Sequence, residues 1–60
     1  MKYSVTFLNE EDGVILELPC EAEDLTECIE GIQEVLKQER TRPDIKAAAQ
    51  IMFQLADRAG

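Results

Sequence analysis

The sequence predicts a single small α+β domain, residues 1–60, in which an N-terminal β-hairpin is followed by two α-helices (ββαα). Three observations lead to this fold class. Apolar residues in the first third of the chain alternate with a period of two, which is typical of half-buried strands. In two later segments they recur at three- and four-residue spacing, which is typical of helices. A capping sequence precedes the first of these segments, and a proline begins the second.

The hairpin prediction depends on two alternating segments, residues 2–8 and 14–18. The polar connection between them ends in Asp12-Gly13, where glycine is expected to supply the positive φ that hairpin turns require. Pro19 is expected to end the second strand, because proline cannot donate a ladder hydrogen bond. A lone hairpin is only marginally stable in water. We therefore expect its apolar side to pack against the helices.

The first helix is predicted to begin at a capping box, in which Asp24 accepts from the first turn and Glu27 reaches back. It should continue to about Gln38. Gly31 interrupts it at a cost of roughly 1 kcal/mol relative to alanine, which points to close approach of another backbone. The apolar stripe of this helix consists of Leu25, Cys28, Ile29, Ile32, Val35 and Leu36.

The second helix is predicted to run from Pro43 to Arg58, with Thr41 and Asp44 satisfying free N–H groups at its start. Its apolar arc spans about 200°, whereas burial of one side needs little more than about 100°. A chain of 60 residues is also marginal in stability, so we expect a homodimer built on this helix. The arc is formed by Ile45, Ala48, Ala49, Met52, Leu55, Ala56 and Ala59, with Ile51 and Phe53 widening it. The expected interface comprises Ile45, Ala48, Ala49, Met52, Phe53, Leu55 and Ala56.

The net charge of −7 is unevenly distributed, since no Lys or Arg occurs from Tyr3 to Leu36. An acidic surface disfavours nucleic acid and anionic membranes as partners and favours a basic protein. The chain is therefore expected to be a non-catalytic protein-binding module that uses an acidic face. The residues of that face are Glu10, Glu11, Asp12, Glu23, Glu27, Glu30 and Glu34.

The basic residues cluster around the turn between the two predicted helices. They are Lys37, Arg40, Arg42 and Lys46. In the alternative hypothesis, a nucleic-acid-associated regulator, this cluster contacts phosphates near a helix N-terminus. The simpler interpretation is that these residues compensate the helix dipole and pair with carboxylates of the same chain or of a second copy. No aromatic side chain lies among them to stack on bases, which favours the simpler interpretation.

Composition argues against catalysis and bound cofactors. The chain has no histidine and no nucleophile or phosphate-binding motif, so we expect no enzyme activity, no cofactor, no metal site and no small-molecule substrate. The acidic turn, residues 10–13, lacks the ligand spacing of an EF-hand. The absence of a signal peptide or apolar span predicts a cytoplasmic protein that does not enter a membrane. Cys20 and Cys28 are then expected to be reduced and to pack in the core.

Four segments of the first 37 residues follow one another in an order that matches a known family. They are Met1-Lys2-Tyr3-Ser4-Val5, Glu11-Asp12-Gly13, Leu18-Pro19-Cys20 and Asp24-Leu25-Thr26-Glu27-Cys28-Ile29. With these segments, residues 1 to about 37 resemble the short αβ domain of the HicB-type antitoxins. That resemblance implies a dimerising protein that neutralises a toxin. In composition alone, the chain is also similar to small acidic proteins of phages and prophages, which implies an inhibitor, structural or accessory role as another alternative.

Overall fold

The computed structural model describes residues 1–56, which form a three-stranded antiparallel sheet with one long helix packed against it. The strand order is β2-β1-β3, so the first strand lies in the centre. We call the surface that contacts the helix the helix side of the sheet, and the opposite surface the open side. The elements are β1 (Lys2–Leu8), β2 (Val14–Glu21), α1 (Leu25–Lys37), α2 (Pro43–Lys46) and β3 (Gln50–Leu55).

The predicted hairpin is confirmed, with β1 and β2 antiparallel and a register shift beside the turn. The side-chain amide oxygen of Asn9 closes the turn by accepting from the N–H groups of Glu11 at 2.9 Å and Gly13 at 2.8 Å. The positive φ expected at Gly13 is found at Asp12 instead, with a value of 63°. Aspartate tolerates this conformation better than most residues do, because its short polar side chain can bond locally.

The prediction that Pro19 ends the second strand is wrong, since β2 continues to Glu21. Met1 and Ala22 exchange backbone hydrogen bonds, which marks them as a hydrogen-bonded pair. Such pairs alternate along an antiparallel ladder, so the Ser4–Pro19 pair is of the other type. The nitrogen of Pro19 therefore points away from β1. A proline at that position of an edge strand removes no bond from the ladder.

The first helix is confirmed as α1 with Asp24 as its N-cap, but the bond predicted from the Asp24 N–H back to the Glu27 carboxylate is not formed, so the capping box is only half complete. The Asp24 carboxylate accepts from the backbone N–H of Glu27 at 2.8 Å. Gly31 is exposed, and a Cβ added to it would meet no atom within 4 Å. The glycine therefore does not mark a close backbone contact within residues 1–56.

The predicted second helix is wrong, and with it the ββαα fold class. Only Pro43–Lys46 is helical, and Gln50–Leu55 forms a strand antiparallel to β1. The correct order is ββα, a short helical turn and β, with no second long helix among residues 1–56. Arg58 and Ala59, which were predicted to belong to this helix, lie outside the described residues.

Tertiary pairing explains why this segment forms a strand. A helix at this position would leave one edge of β1 without a partner, while β3 satisfies that edge along its length, from the Tyr3–Leu55 pair to the Leu8–Gln50 pair. Ile51 and Phe53 then cover the helix side of the sheet, and branched and aromatic residues favour such positions. The helix propensity of neighbouring alanines is a weak preference that this pairing overrides.

The core lies between the helix side of the sheet and the inner surface of α1. The short α2 adds one side chain to it, and the apolar arc calculated for a long helix does not exist as a surface. The described part of the chain has no helix with the length and hydropathy needed to cross a membrane. The buried core residues are Tyr3, Val5, Phe7, Ala22, Cys28, Ile32 and Ile45.

Candidate functional site

The residues predicted to form a dimer interface do not share one surface. Ile45 is only 4% exposed and belongs to the core, whereas Met52 lies on the open side and is 41% exposed. Phe53 is half-buried on the helix side, next to Val5 in the register. Leu55, at the end of β3, is 57% exposed. The remaining three are the half-buried Ala48 and the exposed Ala49 and Ala56.

Three carboxylates form an acidic stripe along the outer surface of α1, which we define as Glu27, Glu30 and Glu34. At about 100° per residue, their positions fall within a sector of roughly 60°. All three are exposed, opposite to the buried Cys28 and Ile32. The exposed Glu23 lies just before the N-cap and prolongs the negative charge toward the start of the helix.

The other predicted acidic residues, Glu10, Glu11 and Asp12, lie at the turn of the hairpin, which we call the acidic tip. All are exposed. The shallow cleft beside the tip is lined by Asn9, the two glutamates and Ala47, with no residue of α1. The predicted acidic face therefore consists of two patches, one on the helix and one on the hairpin.

Most of these carboxylates have no basic partner within residues 1–56, which contain two ion pairs. Lys37 Nζ lies 3.6 Å from Glu34 Oε1, and Arg42 Nη2 lies 2.6 Å from Asp44 Oδ2. The hydrogen bond from Arg42 is the main reason that the pKa of Asp44 is lowered. Neither pair involves the acidic tip, and only Glu34 of the acidic stripe is engaged.

The predicted basic cluster is largely occupied by neighbours in the chain. Arg42 binds Asp44 with two hydrogen bonds, and Lys37 pairs with Glu34. Arg40 Nε donates to the side-chain oxygen of Gln38 at 2.9 Å. Pairing within the chain was the simpler interpretation of the cluster. The geometry gives the nucleic-acid hypothesis no added support, because Lys37 and Arg42 already have carboxylate partners and Arg40 is bound to Gln38.

An apolar groove of about 440 Å³ lies between β2, α1 and the loop that joins α1 to α2. Sequence reasoning missed it. The groove arises where α1 and α2 leave part of the helix side uncovered, so no short motif could have indicated it. Its lining combines apolar side chains with four polar residues, Gln38, Arg40, Thr41 and Arg42. The apolar lining consists of Phe7, Leu16, Leu18, Ile32, Val35 and Ile45.

The two cysteines are free thiols. Cys28 is 0% exposed, and burial, together with a hydrogen bond to Cys20, raises the pKa of its thiol to about 11. A thiol with so high a pKa stays protonated near neutral pH and is a poor nucleophile. This geometry is that of a small apolar residue in the core.

Within residues 1–56, no three acidic or cysteine side chains converge in a way that could hold a metal ion. No family model, curated protein or solved structure matches this chain.

Proposed function

We propose that this chain is a non-catalytic protein-binding module of the cytoplasm that docks on a positively charged protein surface through its acidic stripe, while the acidic tip adds to the net negative charge that attracts the partner. The observation that carries the proposal is the state of these carboxylates. They are exposed, and within residues 1–56 Glu34 alone among them has a basic partner. The electric field of these carboxylates is therefore not cancelled within residues 1–56 and acts on other molecules.

The arrangement of the acidic stripe supports binding through a helix surface. Its three carboxylates lie on a helix of 13 residues that is anchored to the sheet by buried side chains. Rigid placement lowers the entropy lost on binding, because the helix does not have to fold on its partner. A basic partner that binds nucleic acid would present the complementary surface, and an antitoxin or an inhibitor would occupy it in place of phosphates. The resemblance of residues 1–37 to HicB-type antitoxins agrees with such a role.

Electrostatic attraction of this kind acts mainly on the rate of association. Complementary charge raises association rate constants from about 10⁵–10⁶ to as much as about 10⁸–10⁹ M⁻¹s⁻¹ at low salt. The effect is screened over a Debye length of about 8 Å at physiological ionic strength. Binding by the acidic patches should therefore weaken steeply as salt rises.

The test uses the intact chain immobilised for capture of proteins from a bacterial lysate, followed by kinetic measurement with the purified captured protein. Two variants remove the same charge from different places. One is Glu27→Gln with Glu30→Gln and Glu34→Gln; the other changes Glu10 and Glu11 to Gln and Asp12 to Asn. We expect the helix variant to slow association by about tenfold at low salt and to leave dissociation nearly unchanged.

The hairpin variant is the matched control, because it alters the net charge equally. A smaller effect of this variant would assign the contact to α1. Equal effects would mean that only the total charge matters, and the stripe would not be the docking surface. Binding to acidic proteins, or binding that is indifferent to salt, would contradict the proposed function.

A further inference from the structure

The two edges of the sheet differ in how they are protected against pairing with another strand. β2 and β3 are the edge strands, and within residues 1–56 no strand lies beyond either of them. Unpaired strand edges present free N–H and C=O groups, and natural proteins protect them with proline, charge or short length. The residues whose backbone groups point outward can be identified from the hydrogen-bond pattern of each ladder.

On β2 the outward positions are protected. Met1 and Ala22 form a hydrogen-bonded pair, and such pairs recur at every second position of the ladder between β1 and β2. The residues of β2 whose backbone groups point away from β1 are therefore Glu17, Pro19 and Glu21. Pro19 has no N–H to offer, and the two glutamates place charge on either side of it. A strand that paired with this edge would lack one hydrogen-bond donor, at Pro19, and would lie beside the carboxylates of Glu17 and Glu21.

On β3 the outward positions have no such protection. The backbone N–H of Ala56 donates to the carbonyl of Lys2 at 2.8 Å, so the even-numbered residues of β3 face β1. The outward residues are therefore Ile51, Phe53 and Leu55. None is proline or charged, and no ionisable side chain occurs from Gln50 to Ala56.

We propose that the outer edge of β3 pairs antiparallel with the same edge of a second copy of this chain, which joins the two sheets into one of six strands. Charge decides where on the chain a second copy can bind. Each chain carries a net charge of −7, so two copies repel each other over most of their surfaces. The β3 edge is the uncharged edge of the sheet, whereas the acidic tip, the β2 edge and the acidic stripe all carry carboxylates.

The sequence of β3 is self-complementary in the register that places Phe53 opposite Phe53 of the second copy. Ile51 then lies opposite Leu55, and all three outward residues of each chain exchange both backbone hydrogen bonds. The apolar residues of the two helix sides become adjacent, which covers Leu55, now 57% exposed. On the open side, Met52 meets Gln54. No position in this register brings two like charges together.

This self-association does not depend on the proposed function, because it uses neither the acidic stripe nor the acidic tip. It also differs from the interface predicted from sequence, since Ile45 lies in the core and takes no part. What remains from that prediction is a second copy as the partner, now bound through backbone groups of a strand.

Hydrogen exchange of the unaltered protein tests the pairing directly. In a monomer, the amides of Ile51, Phe53 and Leu55 face solvent and exchange rapidly, while those of Met52 and Gln54 are protected by β1. In the paired state, the three outward amides should exchange at least about tenfold more slowly at high micromolar concentration than after dilution. Sedimentation equilibrium on the same samples should show a dimer that dissociates on dilution.

Two substitutions at one position separate the backbone from the side chain. Leu55→Pro removes an outward N–H without removing a bond to β1, and Leu55→Ala keeps the N–H. Leu55→Pro should weaken dimerisation at least about tenfold, and more than Leu55→Ala does. A monomer at high micromolar concentration would overturn the proposal, and so would a dimer in which the three outward amides still exchange rapidly.

Discussion

Truncation of Ile45 to alanine tests the arrangement of the segment that was predicted as a helix. Ile45 is 4% exposed and belongs to α2, a helix of four residues that is too short to be stable by itself. The substitution removes three carbons from the core, worth about 2.4 kcal/mol at about 0.8 kcal/mol per methylene. Because Ile45 lines the apolar groove, neighbouring atoms and water can fill part of the space that the substitution leaves. We therefore expect the free energy of unfolding to fall by about 2–3 kcal/mol.

Such a loss is large for this chain. At roughly 0.05–0.15 kcal/mol per residue, a domain of 60 residues has a free energy of unfolding of about 3–9 kcal/mol. The midpoint of thermal unfolding should fall by roughly 8–24 °C. Urea unfolding followed by circular dichroism gives the change at constant m-value. Lys46→Ala, on the same helical turn but exposed, is the control and should stay within about 0.5 kcal/mol.

Met52→Ala provides the comparison that can refute the reasoning. In a continuous helix, Ile45 and Met52 are seven residues apart and would lie on the same buried surface. In the sheet, Met52 lies on the open side and is 41% exposed, so its truncation should cost less than about 1 kcal/mol in a monomer. Equal losses for the two substitutions, measured at concentrations where the chain is monomeric, would favour the helix over β3.

Three further substitutions test α1 and the core next to it. Gly31→Ala should raise the free energy of unfolding by about 0.5–1 kcal/mol in urea titrations, because a Cβ there meets no atom within 4 Å; destabilisation would reveal a contact. Asp24→Ala should lower it by about 1 kcal/mol in the same assay through loss of the N-cap, and an unchanged midpoint would contradict that role. The pKa of Cys28 is raised from 9.0 to about 11 in the folded state. The stability that comes from burying the protonated thiol is therefore fully present below about pH 9 and is lost as the pH rises through about 11. In the Cys28→Ala variant, the urea midpoint should fall less between about pH 8.5 and about pH 10.5 than it does in the unaltered protein. An equal fall in both proteins would assign this pH dependence to other groups.

The hairpin and α1 could be predicted because their signals are local. Alternating apolar residues and a turn define the hairpin, and the Asp24 cap lies immediately before the apolar spacing of α1. β3 could not be predicted with the same ease, since its partner is β1, far away in sequence. In its own sequence, Ile51, Phe53 and Leu55 alternate with Gln50, Met52 and Gln54, but the apolar Met52 and the alanines before and after the segment also fit a helical period. Only the pairing with β1 decides between the two periods.

The candidate surfaces were predicted unevenly for a similar reason. Spacing along one helix identifies the acidic stripe, because Glu27, Glu30 and Glu34 need nothing beyond α1 to share a surface. The relation of the stripe to the acidic tip depends on how the hairpin packs, and the apolar groove depends on how α1 and α2 cover the sheet. The two edges of the sheet could be compared only after the strand order was known.

The central position of β1 has a consequence for how the chain folds during its synthesis. The hairpin partner of β1 leaves the ribosome almost at once, whereas β3 follows only after α1 and α2. Until then, one edge of the central strand has no partner, and the loop that must close to pair Leu8 with Gln50 spans most of the domain. Long-range pairing of this kind slows folding and leaves a nascent chain open to association with others. Completion of the sheet therefore depends on β3, the last of these three strands to be synthesised.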